Sequence, residues 1–283
     1  MTAVHTPPTH RYTVAGHRLA YDIRGTGDHT VVLVPGILMS RRMQWPLADE
    51  LAAAGLRVVT LDPLGHGESD RPTEYSDYTM RSAAGHVVAL LDELGLEKAV
   101  VLGTSAGSLI TMALAGHAPA RLHGIVLEGP VLDHSMPFGA ACFAFLSTAW
   151  TVGRPLSRLV SRVAAHAPRG FSVVPDLTLD WLAQDSDASL AGVQGLMLGG
   201  PKPGRDVLAE LAPRTLVIGY RLFDPIHRGV DARELVDIAP DARLERAWTW
   251  LDLRYRPQRL VPRIADFVVE CYAAGERREA VSA

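Results

Sequence analysis

The sequence predicts an α/β protein with a mostly parallel central sheet, helices on both faces of the sheet, and a helical insertion. Three observations support this class. Apolar, strand-like runs alternate with segments of helical periodicity through the first 130 residues. Strand signals are weak from residue 131 to 203, and the alternation resumes afterwards. A glycine-rich turn joins one strand to the helix that follows it.

The first part of the chain predicts a hairpin and then repeated strand and helix units. Alternating apolar residues around Ala15-Gly16 indicate an antiparallel hairpin. Continuous apolar runs indicate strands that are buried on both faces, and apolar residues at helical spacing indicate the helices between them. In order, the expected elements are the hairpin 11–24, strand 30–34, helix 44–54, strand 56–61, helix 80–94, strand 99–102, helix 106–115 and strand 124–127.

The later part predicts a helical cap over one edge of the sheet. Helices are expected at 138–152, 155–165 and 179–198, followed by strand 215–218, helix 233–238, strand 242–248 and a closing helix 257–273. We therefore expect a core made of residues 1–130 and 204–283, and a cap made of residues 131–203. The first nine residues are expected to be loosely attached.

Composition excludes several classes of function. The 283 residues carry a net charge of -3, which gives no electrostatic footprint for nucleic acid. No basic leader or apolar stretch of about 18 residues is present, so a soluble cytoplasmic protein without a membrane partner is expected. Cys142 and Cys271 have no metal-binding spacing, so both are expected to be reduced thiols. No metal, nucleotide or flavin motif is visible, so no cofactor is expected.

The turn Gly103-Thr104-Ser105-Ala106-Gly107 has the pattern of a nucleophile elbow. In such an elbow a serine stands on a sharp turn between a strand and a helix, and glycines beside it leave room for the turn. The serine backbone is held in a strained conformation, and its hydroxyl is exposed at the edge of the sheet. This pattern predicts that Ser105 is a nucleophile.

With two further motifs, the chain resembles the cap-bearing serine hydrolases and acyltransferases of the α/β-hydrolase fold, from about residue 11 to residue 273. The motifs are Pro35-Gly36-Ile37 with Trp45 downstream, the loop 62–70, and the elbow 103–107. The resemblance implies that Ser105 forms an acyl-enzyme and that the backbone N–H groups of Ile37 and Ala106 form an oxyanion hole.

The resemblance breaks at the catalytic histidine. The family places it after the last strand, where this chain has Trp250, and no histidine follows His227. Asp224 is the nearby candidate for the acid. Because a catalytic triad is defined by geometry rather than by position, another histidine can act as the base. His227, in the same loop as Asp224, is the first candidate, and His134 is the alternative.

The remaining candidates have weaker support. His66 resembles a family residue that holds a loop by hydrogen bonds. Four other histidines lie within or beside expected helices and strands and are expected to have packing roles: His86, His117, His123 and His166. Trp150 and Trp250 are candidate substrate contacts, although packing is the favoured explanation for Trp250. The apolar residues of the cap suggest a substrate with an apolar or aromatic portion.

The leading hypothesis is an enzyme that cleaves an ester or thioester and passes the acyl group to water or to another acceptor. The substrate would be a small molecule or a carrier-bound acyl group. The displaced base slightly favours transfer over hydrolysis, because water needs more activation than a good nucleophile. The alternatives are a lyase or cyclase without an acyl-enzyme, and a non-catalytic ligand-binding protein on the same scaffold.

Overall fold

The computed structural model of the protein describes residues 7–170, 172–198, 209, 214–239 and 241–282. Its strands form one sheet in the order β1-β2-β4-β3-β5-β6-β7-β8. β1 and β2 pair antiparallel and β2 pairs antiparallel with β4, whereas the remaining pairs are parallel. The mostly parallel sheet expected from the sequence is confirmed. The strands are β1 (His10–Val14), β2 (His17–Arg24), β3 (Thr30–Val34), β4 (Arg57–Leu61), β5 (Ala99–Thr104), β6 (Leu122–Glu128), β7 (Arg214–Tyr220) and β8 (Ala242–Ala247).

Helices cover both faces of the sheet and enclose two apolar layers. One layer lies under α2 (Met80–Glu93), α3 (Ala106–His117) and α8 (Gly229–Ile238). The other lies under α1 (Trp45–Ala53), α9 (Asp252–Tyr255) and α10 (Val261–Ser282).

Strand β3 shows why the central strands are apolar at every position. Val32 and Val34 enter the first layer, whereas Val31 and Leu33 enter the second. Successive side chains of a strand point to opposite faces, so a strand covered on both faces needs a continuous apolar run. Burial of each such side chain stabilises the fold by about 1.5–3 kcal/mol.

Within the described residues, four helices follow between β6 and β7, and we call residues 136–198 the helical insertion. They are α4 (Met136–Val152), α5 (Arg154–His166), α6 (Val173–Leu182) and α7 (Ser186–Val193), followed by a short π-helical turn, Gln194–Leu198. Among the described helices, none is long and apolar enough to cross a bilayer alone, although α4 and α5, bent by 97° at their junction, pass that test together.

Several sequence expectations differ from the structure in detail. The single helix expected at 179–198 is wrong, because Asp185 caps a new helix by accepting the N–H groups of Asp187 and Ala188 at 3.0 and 2.9 Å. The closing helix begins at Val261, after a 3-10 turn at Pro257–Arg259. Residues 1–6 of the expected tail and residues 199–208 around the expected end of the cap lie outside the described residues. The boundaries of the cap therefore stay a prediction.

The elbow between β5 and α3 is tightly packed against backbone. Ser105 has φ 55° and ψ -117°, a conformation that is strained for any residue with a side chain. A Cβ atom on Gly103 would lie 2.1 Å from the carbonyl oxygen of Gly107, and one on Gly107 would lie 2.3 Å from that of Val34. Only glycine fits at these two positions.

We expect Gly103→Ala to lower the free energy of unfolding by about 3 kcal/mol, because its methyl group meets backbone that cannot move aside. Urea denaturation followed by circular dichroism measures the loss. Gly85→Ala in α2 is the matched control, since the added Cβ meets no atom within 4 Å, and it should be neutral or stabilising by about 0.5–1 kcal/mol. Equal stability of the two variants would contradict the tight elbow.

Candidate active site

Three of the residues singled out in the sequence form one chain of hydrogen bonds. Nε2 of His227 lies 2.8 Å from Oγ of Ser105, and Nδ1 of His227 lies 2.9 Å from Oδ2 of Asp224. The two contacts use opposite sides of the imidazole. A proton on Nδ1, donated to the carboxylate, leaves the Nε2 lone pair free to accept the Ser105 hydroxyl.

Asp224 is held as a carboxylate by its own loop. Its Oδ1 accepts the backbone N–H groups of Ile226 at 2.9 Å and His227 at 3.1 Å. Partial burial opposes ionisation, but the hydrogen bond from the His227 ring and these backbone donors outweigh it and lower the pKa of Asp224. The ionised carboxylate can therefore orient the imidazole and stabilise its protonated form.

The loop that carries His227 is attached to the segment that enters the helical insertion. The backbone N–H of Arg228 donates to Oγ of Ser135 at 2.9 Å. The buried carboxylate of Asp231 accepts the N–H groups of Leu132 and Ser135 at 2.9 and 3.0 Å. These contacts join the loop after β7 to the loop after β6 and fix the imidazole in front of Ser105.

The segments that carry the expected oxyanion donors lie next to Ser105. Ala106 is the first residue of α3, so its N–H has no acceptor within the helix. A Cβ on Gly36 would be 3.4 Å from the Ser105 Cβ, which places the Pro35-Gly36-Ile37 turn directly against Ser105. Preorganised N–H groups beside a nucleophile are suited to stabilise a developing oxyanion.

His66 holds the loop that contains Ile37. Its Nδ1 lies 2.8 Å from the Leu64 carbonyl oxygen, and its Nε2 accepts the N–H of Leu38 at 2.7 Å. Burial lowers the pKa of His66 to about 4, so the ring stays neutral and keeps an acceptor for that N–H. The loop-holding role expected for His66 agrees with these contacts.

His134, the alternative base, pairs with two carboxylates of α8. Its Nδ1 lies 3.0 Å from Asp231 and 3.3 Å from Glu234. Within the described part of the chain, these three residues are the group close enough together to hold a metal ion. Both oxygens of Asp231 already accept backbone N–H groups, so the cluster serves to hold the loop before α4.

The two tryptophans proposed as substrate contacts lie in different surroundings. Trp250 is half-buried and packs against the apolar layer under α1 and α10. Trp150 and Trp181 line a pocket of about 250 Å³ among the helices of the insertion. For both Trp150 and Trp250, contact with substrate stays a prediction.

Comparisons with known proteins agree with this architecture. A sequence profile described as the alpha/beta hydrolase fold matches residues 29–161. A solved hydrolase from Pseudomonas aeruginosa is 23% identical, with a TM-score of 0.76 over 93% of this chain and 99% of that one. An esterase from Thermogutta terrifontis is 21% identical, with a TM-score of 0.74 over 94% and 99%.

The chain has the α/β-hydrolase fold. A curated relative, the dihydrolipoyllysine-residue acetyltransferase component of an acetoin cleaving system from Cupriavidus necator, is 31% identical over 72% of this chain and 54% of its own length. The chain spans about half the length of the first curated relatives that it matches.

The protein has a buried ion pair beneath the elbow that the sequence did not reveal. Glu128, at the end of β6, accepts from Arg254 at 2.8 Å and from the Thr104 hydroxyl at 2.6 Å, and both charged side chains are fully buried. The Glu128 carbonyl oxygen also accepts the N–H of Ser105 at 2.8 Å. Arg254 comes from the segment after β8, where the family histidine was expected, and its pairing ties that segment to the elbow.

We expect Arg254→Met to lower the free energy of unfolding by about 3–5 kcal/mol, because it leaves the Glu128 carboxylate buried without its cation. The double variant Arg254→Met, Glu128→Leu should lose less than the sum of the two single changes. Chemical denaturation of the four proteins in this cycle measures the coupling. Additive losses would show that the pair does not act as a unit.

Proposed function

We propose that the protein is a serine hydrolase that cleaves an ester or thioester through an acyl-enzyme on Ser105. The observation that carries the proposal is the 2.8 Å contact between the Ser105 hydroxyl and His227, whose other nitrogen contacts Asp224. An activated serine needs an adjacent base and a group that orients the base, and this chain supplies both from one loop.

In the proposed acylation, Nε2 of His227 takes the hydroxyl proton while Oγ of Ser105 attacks the acyl carbon. The carbonyl oxygen becomes an oxyanion, which the N–H groups of Ile37 and Ala106 stabilise. A donor of this kind contributes about 3–4 kcal/mol to transition-state stabilisation. His227 then gives its proton to the departing alkoxide or thiolate, and the acyl group stays on Ser105.

In the proposed deacylation, His227 takes a proton from water, and the hydroxide attacks the acyl carbon. The carboxylic acid leaves, and the proton returns from His227 to Oγ of Ser105. The sequence favoured acyl transfer over hydrolysis only because the histidine is absent from the position that the family uses. A base in hydrogen-bond contact with the nucleophile removes that reason, and the hydrolases and esterases among similar proteins support water as the acceptor.

The surroundings of His227 support a substrate with an apolar portion. Arg228, the next residue, lies 5.8 Å from the ring centre of Phe138 and 5.4 Å from that of Phe223. Both phenyl rings are exposed. An aliphatic or aromatic group attached to the scissile bond can therefore cover these rings while its carbonyl lies at Ser105.

An alkyl fluorophosphonate should label the protein once, on Ser105, since this reagent traps an activated serine as a stable phosphonyl ester. Intact-protein and peptide mass spectrometry measure the adduct. Ser105→Ala should carry none and should lose turnover of p-nitrophenyl butyrate. Full turnover by Ser105→Ala would instead support a reaction without an acyl-enzyme, and unlabelled wild-type protein would contradict the proposal.

His227→Gln should lower kcat for p-nitrophenyl butyrate by about 10²–10⁴-fold, because general base catalysis is lost while the fold remains. His134→Gln is the matched control, since it removes another carboxylate-paired histidine, and its kcat should change by less than about threefold. If His134→Gln is the more damaging of the two changes, the assignment of the base is wrong.

A further inference from the structure

Helices α4 and α5 expose much more apolar surface than ordinary surface helices. Along the 17 residues of α4, Gly139 is the one buried position. Phe138, Phe145 and Val152 lie at intervals of seven residues on one face of α4, and they are 47%, 73% and 80% exposed. Surface helices normally turn such a stripe toward the core.

The neighbouring helix α5 also exposes an apolar stripe. Its apolar residues follow the spacing i, i+3, i+4, i+7 and form one stripe: Leu156, Leu159, Val160 and Val163. Three of these four side chains are 58–65% exposed, and Val160 is 37% exposed. We call the two stripes together the α4–α5 face. Contiguous exposed apolar surface of this kind marks an interaction site.

The charge of residues 136–166 favours an anionic partner for the α4–α5 face. Residues 136–166 contain Arg154, Arg158 and Arg162 and no Asp or Glu, although the whole chain has a net charge of -3. Asp187 contacts both Arg154 and Arg158, so one carboxylate faces two guanidinium groups. If a second copy of the chain bound through the same face, the arginines of the two copies would lie close together. An anionic surface would instead complement their charge.

The three arginines recur every fourth residue and therefore lie along one side of α5, beside the apolar stripe. An amphipathic helix with this division lies in the plane of a bilayer interface, with its apolar residues among the acyl chains and its cations at the headgroups. Because α4 and α5 meet at an angle of 97°, two such helices can both lie flat on one surface.

We propose that the α4–α5 face binds the surface of an anionic lipid bilayer. The site of reaction lies beside it, because Arg228 contacts the ring of Phe138 on α4 and follows His227 directly. An apolar substrate dissolved in the bilayer would then reach Ser105 from the membrane side. The sequence predicted no membrane partner because it has no continuous apolar span, and an interfacial helix pair contains none.

Flotation with vesicles tests the proposal. Wild-type protein should float with vesicles of equal phosphatidylcholine and phosphatidylglycerol, and it should bind weakly to phosphatidylcholine alone and at high salt. Leu159→Ser with Val163→Ser should lower the partition coefficient at least about tenfold. Arg162→Gln should lower it about fivefold.

The matched controls lie on other exposed helix surfaces. Val269→Ser removes an apolar side chain that is 46% exposed on α10, and Arg81→Gln removes an exposed cation from α2. Both should float like wild type. Ser105→Ala should also float like wild type, so that failure of the proposed chemistry and failure of lipid binding are told apart.

Three results would overturn the proposal. One is wild-type protein that does not float, or that floats equally well with both kinds of vesicle. Another is unchanged flotation of the Leu159→Ser, Val163→Ser variant. The third is a dimer in light scattering without lipid that this variant dissociates, because a second copy of the chain would then cover the face.

Discussion

Steric exclusion at the elbow sets the position of everything else in the site. Backbone from β3, β5 and α3 approaches so closely there that Gly103 and Gly107 cannot carry a Cβ atom. The turn forces Ser105 to φ 55° and presents its hydroxyl at the carboxyl edge of the parallel strands. Such strain persists only where the surroundings hold it. Here the Ser105 N–H bonds to the Glu128 carbonyl oxygen, and the buried pair of Glu128 with Arg254 holds that strand end.

Hydrogen bonds within its own loop position His227, the histidine that replaces the one expected after β8. In this chain the orienting carboxylate and the imidazole are three residues apart, and the loop between β7 and α8 folds so that Asp224 accepts from the backbone of His227 as well as from its ring. Geometry within the loop is therefore set by short-range hydrogen bonds. Its placement relative to Ser105 is set by the contact between Arg228 and Ser135. After β8, where the family histidine was expected, Trp250 packs against the core and Arg254 forms the ion pair with Glu128.

Features encoded by neighbouring residues could be predicted from the sequence, and features made by distant residues could not. The strands of the sheet and the elbow follow from continuous apolar runs and from glycine, and both were expected at the observed places. The break between α6 and α7 was missed because one capping side chain, Asp185, outweighs a helical pattern that continues across it. The pair of Glu128 and Arg254 joins residues 126 positions apart, and no spacing rule links them. Loop position favoured His227 over His134, but only the folded loop brings its ring within 2.8 Å of Ser105.

The attachment of the His227 loop to Ser135 has a consequence for how the protein responds to its surroundings. Ser135 immediately precedes α4, a helix of 17 residues with one buried position. A force or ligand that displaces this helix acts on the segment carrying both Asp224 and His227 through the hydrogen bond from Arg228 to Ser135 and through those that Asp231 accepts, while Ser105 remains fixed at the end of the sheet. Asp224 and His227 would then move away from Ser105 together. One part of the site would stay in place, and the other would engage or disengage as a single segment.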